Sequence, residues 1–495
     1  MNVDRSHNIA YTLRRYGACL GALSLMLLAP RGAWALDPLL TSKSVSVTPA
    51  AALPGDGSAG ICQFGVLDNP LVLQDAVERA LCNNPKTREA WANVKIQAAA
   101  VGIGRAAYLP QITGNWQGVR DESVNNIDGF PQYDSNYKSL VQTESISASW
   151  VLYDFGGRKA ALQNATSLLA AAQANQQAVL ETAFANIAKD YYAAQAAQGA
   201  FAAAQEIEKT ANDSFQVATA RVDKGVAPIS DQLEAQTSYA EAVVNRTKAQ
   251  GDWQTALGTL ASDMDLDPSV PVTLPDVGDG VAPDSEYDNS ISELIRQAKR
   301  SHPSVVAAEA QVEAAEAKVK QTRAEGMPSL SFVAKYSQNN QPTSLQIGYP
   351  QFPANGHEWY LGLQLTIPFF EGFGRTYQIR QAEAQTELQR DTLDEVRQQV
   401  GLDVWTSYQA LQTSTQNLGN SATLLDIAQR SYTAAQHRYQ VGVGNILELL
   451  NAQSSLAGAK RQRIQALTDW RSARLQLAAK LGRLGMWSIN RGATS

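Results

Sequence analysis

The sequence predicts an α+β membrane protein with two tandem structural repeats, four transmembrane β-strands per chain and a long α-helical coiled-coil part. Three observations lead to this fold class. Motifs recur at a nearly constant offset, and four short segments carry one apolar and one small polar face. The stretches 159–222 and 376–439 are rich in Ala, Gln, Leu and Glu and contain no proline. Together they indicate a chain that is part membrane strand and part extended helix.

The N-terminus predicts export. Arg14 and Arg15 precede an apolar run over 18–29, and the small-residue pattern Ala-Trp-Ala at 33–35 follows. This order is typical of a secretory signal peptide, here residues 1–35. A single anchoring helix and a twin-arginine route stay open as weaker alternatives. Cleavage would leave 37 basic (41 − 4) and 46 acidic (47 − 1) residues, so the mature chain is acidic and no nucleic-acid partner is expected.

Two cysteines remain after the predicted cleavage, Cys62 and Cys82. An even pair in an oxidising compartment predicts a disulfide, with two free thiols as the alternative. The bond would tie a flexible, Pro/Ser/Gly-rich N-terminal segment, 36–70, to the first helix. No mature segment reaches the roughly 18 consecutive apolar residues that a transmembrane helix needs.

The chain repeats itself. Glu371 follows Asp154 by 217 residues (371 − 154), and the same offset relates Arg438 to Arg221 and Gly442 to Gly225. A pattern held at one offset over such a length predicts two copies of one structural unit. The predicted organisation is repeat 1 at 71–263, an acidic Pro/Gly linker at 264–289, repeat 2 at 290–485 and a C-terminal tail at 486–495.

Each repeat has the pattern of a helix, a β-hairpin and a long helical hairpin. The first helices are predicted over 72–107 and 290–325, and the β-hairpins over 111–153 and 329–369. The helices at 159–222 and 376–439 would each be roughly 95 Å long. No globular core covers such a helix, so coiled-coil packing is expected. Shorter helices return over 230–262 and 447–482 after glycine-containing turns.

The strands have two different faces. Ile146, Ala148, Trp150 and Leu152 alternate with Thr143, Ser145, Ser147 and Ser149, and residues 358–369 show a similar alternation. One apolar and one small polar face favour a strand between lipid and water, and an ordinary sheet on a core is the alternative. Four strands cannot close a barrel, and each unpaired backbone group in lipid costs several kcal/mol. Two copies would fill the barrel interior with side chains, whereas three copies give twelve strands and room for a pore.

The points where strands give way to long helices share the pattern D/E-F/G-x-G-R. Glycine permits a sharp change of direction, and the carboxylate suits the positive start of a helix. These barrel-to-helix turns contain Asp154, Gly157, Arg158, Glu371, Gly374 and Arg375.

The motifs "YLP", "LYDFGGR" and "PFFEGFGR", with the paired tips "KGVAPISDQLEAQ" and "VGVGNILELLNAQ", resemble those of the TolC family of outer-membrane factors over about residues 70 to 485. The stretch 75–110 resembles the CyaE-type subgroup, which serves type I protein secretion. The resemblance implies a homotrimer with a twelve-stranded barrel in outer-membrane lipid and a helical tunnel in the periplasm. It also implies a periplasmic adaptor (membrane fusion protein) and an inner-membrane ABC exporter or other pump as partners.

The resemblance also implies functional residues at the helix tips. Gly225, Val226, Gly442 and Val443 match the tips that contact the adaptor. The periplasmic mouth or gate would contain Asp231, Arg438, Tyr439, Glu448 and Asn451.

The mouth departs from the family pattern in two places. Gly444 occupies the position of a family arginine, for which Arg438 or Arg221 could substitute, and Asn451 replaces one of two carboxylates. Three copies of Glu448 could form an anionic ring. In the alternative, Asn445 caps the helix and Glu448 completes a capping box.

The predicted function is a trimeric outer-membrane exit duct for type I secreted, toxin-like protein. A small-molecule efflux channel and a soluble periplasmic coiled-coil scaffold are the alternatives. Enzyme chemistry and cofactors are not expected, because His302, His357 and His437 lack the spacing of metal ligands.

Overall fold

The computed structural model describes residues 37–52, 62, 64–65, 67, 70–276, 290–343, 352 and 354–483. The predicted signal peptide and C-terminal tail, and much of the N-terminal segment and the linker, lie outside the described residues. The chain divides into two units, 1–44 and 45–495. In the first, the carboxylate of Asp37 accepts hydrogen bonds from the Thr41 hydroxyl and the Ser42 amide.

The described part of the second unit contains eight α-helices and four β-strands. The helices are α1 (Leu73–Asn83), α2 (Pro85–Ala106), α3 (Gly157–Asp223), α4 (Ile229–Asp263), α5 (Ile291–Ser301), α6 (Pro303–Ala324), α7 (Gly374–Gln440) and α8 (Ile446–Lys480). The strands are β1 (Gln111–Asn125), β2 (Ser135–Tyr153), β3 (Ser329–Asn339) and β4 (Gly356–Thr366).

The single helices predicted over 72–107 and 290–325 are each divided in two. Pro85 and Pro303 have no amide hydrogen to continue a preceding helix, and each begins a new one. The side chains of Asn84 and His302 cap these new helices by accepting hydrogen bonds from the amides of Lys86 and Ser304. The prediction of one continuous helix missed this break.

The four strands form one antiparallel sheet in the order β1-β2-β3-β4. The register places Trp150 opposite Phe332, and Tyr336 opposite Trp359, so the apolar residues of the strands share one face. Strand β4 ends at Thr366 rather than at the predicted 369, since Pro368 cannot donate to the sheet. β1 and β4 are the edges of the sheet within the described chain.

Much of the apolar face of this sheet is exposed in the described chain. On the apolar face, Trp116 is 67% exposed and Leu363 is 66% exposed. On the polar face of β2, Ser145 and Ser147 are half-buried. Soluble proteins rarely expose a large continuous apolar patch without a partner for it.

The long helices α3 and α7 contain 67 residues each, which corresponds to about 100 Å. Near the sheet, α6 packs between α3 and α7, and farther along α8 takes its place. Buried residues of α7 recur at heptad spacing, as in Val404, Leu411 and Leu418. This spacing is typical of coiled-coil seams. Among the described residues, no helix has both the length and the apolar character that crossing a membrane requires.

A hydrophobic core lies where the short helix α1 meets the middle of α3. Leu71, Phe184 and Leu260 are fully buried there, and Leu274 from the beginning of the linker packs against them. The Tyr191 hydroxyl donates to the Leu71 carbonyl at 3.0 Å. Cys62 and Cys82, at the edge of this core, are joined by a disulfide. Cys62 of the N-terminal segment and Leu274 of the linker therefore both pack on this core, which includes the middle of α3.

Candidate functional site

The helix tips are two tight turns that begin with glycines in the left-handed conformation. Gly225 has φ +69° and joins α3 to α4, and Gly442 has φ +84° and joins α7 to α8. Other residues adopt this conformation only at a cost of about 1 kcal/mol. The next residues, Val226 and Val443, are 64% and 67% exposed. Each tip therefore presents an apolar side chain to its surroundings.

Gly444 has no room for a side chain. A Cβ atom there would lie 2.8 Å from the Tyr439 nitrogen and 2.9 Å from the Arg438 carbonyl carbon. The Gly444 amide also donates to the Arg438 carbonyl at 2.9 Å, which closes the turn tightly. The turn therefore excludes an arginine at this position.

Arg438 folds back onto its own hairpin. Its Nε lies 3.2 Å from Oε1 of Glu448, and its Nη2 donates to the Val443 carbonyl at 3.5 Å. The Asn445 side chain caps α8 by accepting from the Leu447 amide at 2.9 Å. Asn451 lies exposed one turn beyond Glu448. Glu448 thus has a cationic partner within its own chain, which reduces the charge that it could contribute to an anionic ring.

Arg221 is the repeat equivalent of Arg438, yet it reaches the other hairpin. Its Nη1 donates to the Tyr439 carbonyl at 2.5 Å, and its guanidinium lies 4.8 Å from the centre of the Tyr439 ring. From the sequence, Arg221 was only one of two possible substitutes for the arginine absent at 444. The structure distinguishes the two by their contacts.

Tyr439 is 2% exposed, and its hydroxyl has no hydrogen-bond partner among the residues that the structure describes. Burial raises the pKa of this hydroxyl, the charge of Arg221 opposes the rise, and Asp231 adds to it. Asp231 therefore lies close enough to Tyr439 to interact electrostatically, without a hydrogen bond to its hydroxyl. The structure brings Arg221, Asp231 and Tyr439 together at one level of the two hairpins.

The barrel-to-helix turn of repeat 1 ties α3 to the end of β2. Oδ2 of Asp154 accepts from the Arg158 amide at 2.7 Å and from its Nε at 3.2 Å. Arg158 Nη1 donates to the Val151 carbonyl at 2.7 Å. A Cβ on Gly157 would approach Asp154 Oδ2 to 3.3 Å. The motif therefore caps the helix and also satisfies a carbonyl at the strand end.

The same motif in repeat 2 has different partners. Arg375 lies 3.1 Å from Glu371 and 2.9 Å from Glu325, at the end of α6. Gly374 has open space around its Cβ position. Repeat 2 therefore fastens α7 to the preceding helix rather than to a strand.

Both turns contain two consecutive residues with positive φ, Phe155-Gly156 and Gly372-Phe373. Phenylalanine is the first residue of this pair in repeat 1 and the second in repeat 2. Sequence comparison of the repeats matched Asp154 with Glu371 but gave no sign of these left-handed phenylalanines.

The fold defines a class of protein in which a sheet with an exposed apolar face, suited to a membrane, is joined to long helices. A family profile described as "Outer membrane efflux protein" matches residues 76–263 and 294–483. The chain belongs to this family, as its resemblance to TolC-type proteins predicts.

Comparisons with individual proteins agree with this family assignment. The chain is 30% identical to Protein CyaE of Bordetella pertussis, over 85% of this chain and 86% of that protein. It is 24% identical to the probable efflux pump outer membrane protein TtgC of Pseudomonas putida, over 84% of this chain and 83% of that protein. The outer membrane protein VceC of Vibrio cholerae has a similar fold, with a TM-score of 0.69, 18% identity and coverage of 83% of this chain and 96% of VceC.

The family assigns the protein to the outer membrane, with a large periplasmic part, as the sequence predicted. It is a transport channel and not an enzyme. The alternative of a soluble periplasmic scaffold is wrong, because the relatives are outer-membrane channels.

Proposed function

We propose that the protein is the homotrimeric outer-membrane exit duct of a tripartite export system, and that its cargo is type I secreted protein. The observation that carries this proposal is the sheet, which has an exposed apolar face, a polar face and, within the described residues, two unpaired edges. An apolar band facing outward and a polar interior are properties of transmembrane barrels.

Closure of the sheet requires more than one chain. The four strands end at β1 on one side and β4 on the other, and open edges are not stable in lipid. Three copies would supply twelve strands (3 × 4) and leave space inside for a pore, whereas eight strands would not. The proposed trimer joins β4 of each copy to β1 of the next.

The helices support the same head-to-tail arrangement. Leu402 and Trp405 on α7 are exposed, and so are Ile96 on α2 and Val244 on α4. Within the described chain α4 packs mainly on α3, and α7 packs on α6 and α8. Contacts between unlike surfaces of successive copies would cover these side chains and close a ring.

The two helix tips form the proposed periplasmic mouth. Gly225, Val226, Gly442 and Val443 would contact a periplasmic adaptor, and exposed valines suit a protein contact. Asp231, Arg438, Tyr439, Glu448 and Asn451 would line or hold the mouth. An inner-membrane ABC exporter or other pump would deliver cargo through the adaptor.

The choice of protein cargo rests on the CyaE-type motifs and on the higher identity to CyaE. Small-molecule efflux is the second candidate, since TtgC and other relatives are named efflux pump proteins. Deleting the chain in its own host separates the two. Loss of a protein from the culture medium, with unchanged drug sensitivity, supports protein secretion.

The opposite result, greater sensitivity to toxic small molecules with an unchanged set of secreted proteins, would support the efflux function instead. Complementation with the intact chain should restore the lost phenotype. Complementation with Ile146→Arg, which places a charge on the exposed apolar face, should not restore it.

A further inference from the structure

The polar face of the sheet carries little charge where β2 meets β3 and β4. In the rows of the register that join Thr143–Ser149 of β2 to β3 and β4, the polar-face side chains are Ser, Thr, Asn, Tyr, Val or Gly, with two exceptions. Lys335 lies opposite Ser147 and Tyr360, and Glu358 lies one row farther along, opposite Ser337. Among the described polar-face residues of these rows, these two alone are charged.

Lys335 is half-buried on the polar face, with neutral residues on both neighbouring strands. No carboxylate in the described part of the chain lies within ion-pair distance of its ammonium group. Glu358 in the next row does not pair with it. The positive charge of Lys335 is therefore uncompensated by direct contact.

The direction of travel sets the order in which cargo would meet these charges. β3 begins at Ser329, directly after α6, and runs away from the helices to Asn339. Cargo that enters from the helical, periplasmic end would therefore pass Lys335 before Glu358.

We propose that Lys335 is a specificity-determining residue of the duct, and that it favours carboxylate-bearing, acidic polypeptide segments over cationic ones. This inference rests on the proposed closed trimer. Three copies place three ammonium groups at one level of a narrow, wet passage, where fixed charge controls entry far more than it does on an open surface. At the mouth, Glu448 is paired with Arg438, so this carboxylate opposes the effect less than an unpaired one would.

Planar-bilayer recordings of the trimer test the proposal. Lys335→Gln should raise the ratio of potassium to chloride permeability about threefold or more, because three cationic groups leave one level of the pore. Glu358→Gln is the matched control one row away and should move the ratio in the opposite direction. All variants should assemble normally, since the substituted side chains face water.

Cargo preference is measured in the same recordings with two probes, oligoglutamate and oligolysine, added at the helical end. Oligoglutamate should block the unsubstituted channel more strongly than oligolysine, and Lys335→Gln should reduce that difference at least about threefold. Conducting trimers whose permeability ratio and oligoglutamate block are unaffected by Lys335→Gln would overturn the inference and leave the duct intact. Assembled trimers that never conduct, with or without substitution, would overturn the proposed duct and this inference with it.

Discussion

At the scale of single residues, two equivalent arginines have acquired different partners. Arg438 pairs with Glu448 inside the second hairpin, whereas Arg221 contacts the backbone and ring of Tyr439 across the two hairpins. A hydrogen bond from a charged donor is worth about 1.5 to 3 kcal/mol, and a cation–π contact adds to it. Arg221 is therefore expected to hold the end of α7 against α3.

Arg221→Gln should increase the conductance of the purified channel several-fold, because the two hairpins lose their charged contact. Arg438→Gln is the matched control and should leave conductance nearly unchanged. Arg221→Lys should have an intermediate effect, since lysine keeps the charge but lacks the planar guanidinium. An increase in conductance with Arg438→Gln and none with Arg221→Gln would contradict this prediction, because it would show that Arg438 holds the hairpins together.

A second residue-scale prediction concerns Glu181 on α3. It is 2% exposed, and its Oε1 accepts a hydrogen bond from Gln177 at 3.2 Å. Within the described parts of the chain, its Oε2 has no hydrogen-bond partner. Burial raises the pKa of this carboxyl to about 7, against the opposing hydrogen bond from Gln177. The folded state therefore retains a proton that the unfolded chain releases at a lower pH.

Because the folded pKa of Glu181 is raised, its contribution to stability is fully present below about pH 4.5 and is lost as pH rises to about 7. Glu181→Gln should remove this part of the pH dependence, on the order of 3 kcal/mol per chain. Thermal unfolding should show the variant gaining stability over the unsubstituted protein at pH 8 but not at pH 4. Parallel curves for the two proteins across this range would show that Glu181 does not titrate there.

At the scale of elements, the two repeats use different chemistry at equivalent helix seams. Three ion pairs link α6 to α7 at heptad intervals: Arg323–Glu383 at 2.5 Å, Arg390–Glu316 at 2.7 Å and Arg397–Glu309 at 2.8 Å. The residues of α7 in these pairs lie seven apart. The next residues at this spacing, beginning with Val404, are apolar and face α8. In repeat 1 the equivalents of Glu309, Glu316 and Arg397 are Trp91, Ala98 and Leu180.

These ion pairs set the register of α6 against α7, and each contributes little to the stability of the fold. Arg390→Glu or Glu316→Arg alone should lower stability by about 0.5 to 1 kcal/mol at low salt, and the double swap should recover most of it. High salt should reduce all of these differences. Unfolding experiments at low and high ionic strength would contradict this account if the double swap were as unstable as the two single changes combined.

The faces of the sheet give a sharper element-scale prediction. Ser145 and Ile146 are neighbours on β2 whose side chains point to opposite faces of the sheet, and Ile146 is on the exposed apolar face. Ile146→Arg should cost about 2 to 4 kcal/mol in the membrane, whereas Ser145→Arg faces water, lies opposite the neutral Ser337 and should be tolerated. The amount of assembled protein in outer-membrane fractions distinguishes them, and equal yields for the two variants would mean that the faces are misassigned.

At the scale of the whole molecule, the sequence predicted the fold well where its signals were periodic. The alternation of the strands, the heptads of α7 and the repeat offset each report directly on backbone geometry. The breaks at Pro85 and Pro303 were readable in principle, because proline begins helices. The repeat boundaries and the roles of the mouth residues stay predictions.

Side-chain partners across the fold were less predictable. The sequence placed Arg221 and Arg438 at equivalent positions, and nothing in that symmetry indicates that only one of them reaches Tyr439. The crowding around Gly444 and the charge of Lys335 on a nearly neutral face also depend on which segments meet in space. Local patterns predict elements, whereas contacts between distant residues decide the site.

The central claim is that three chains close one barrel, and native mass spectrometry of the detergent-solubilised mature protein tests it most directly. The account predicts a dominant particle with three copies of the chain, since three sets of four strands close a barrel with a pore. Heating should convert that particle to single chains. A dominant particle containing one or two copies, from protein extracted intact from the outer membrane, would contradict it.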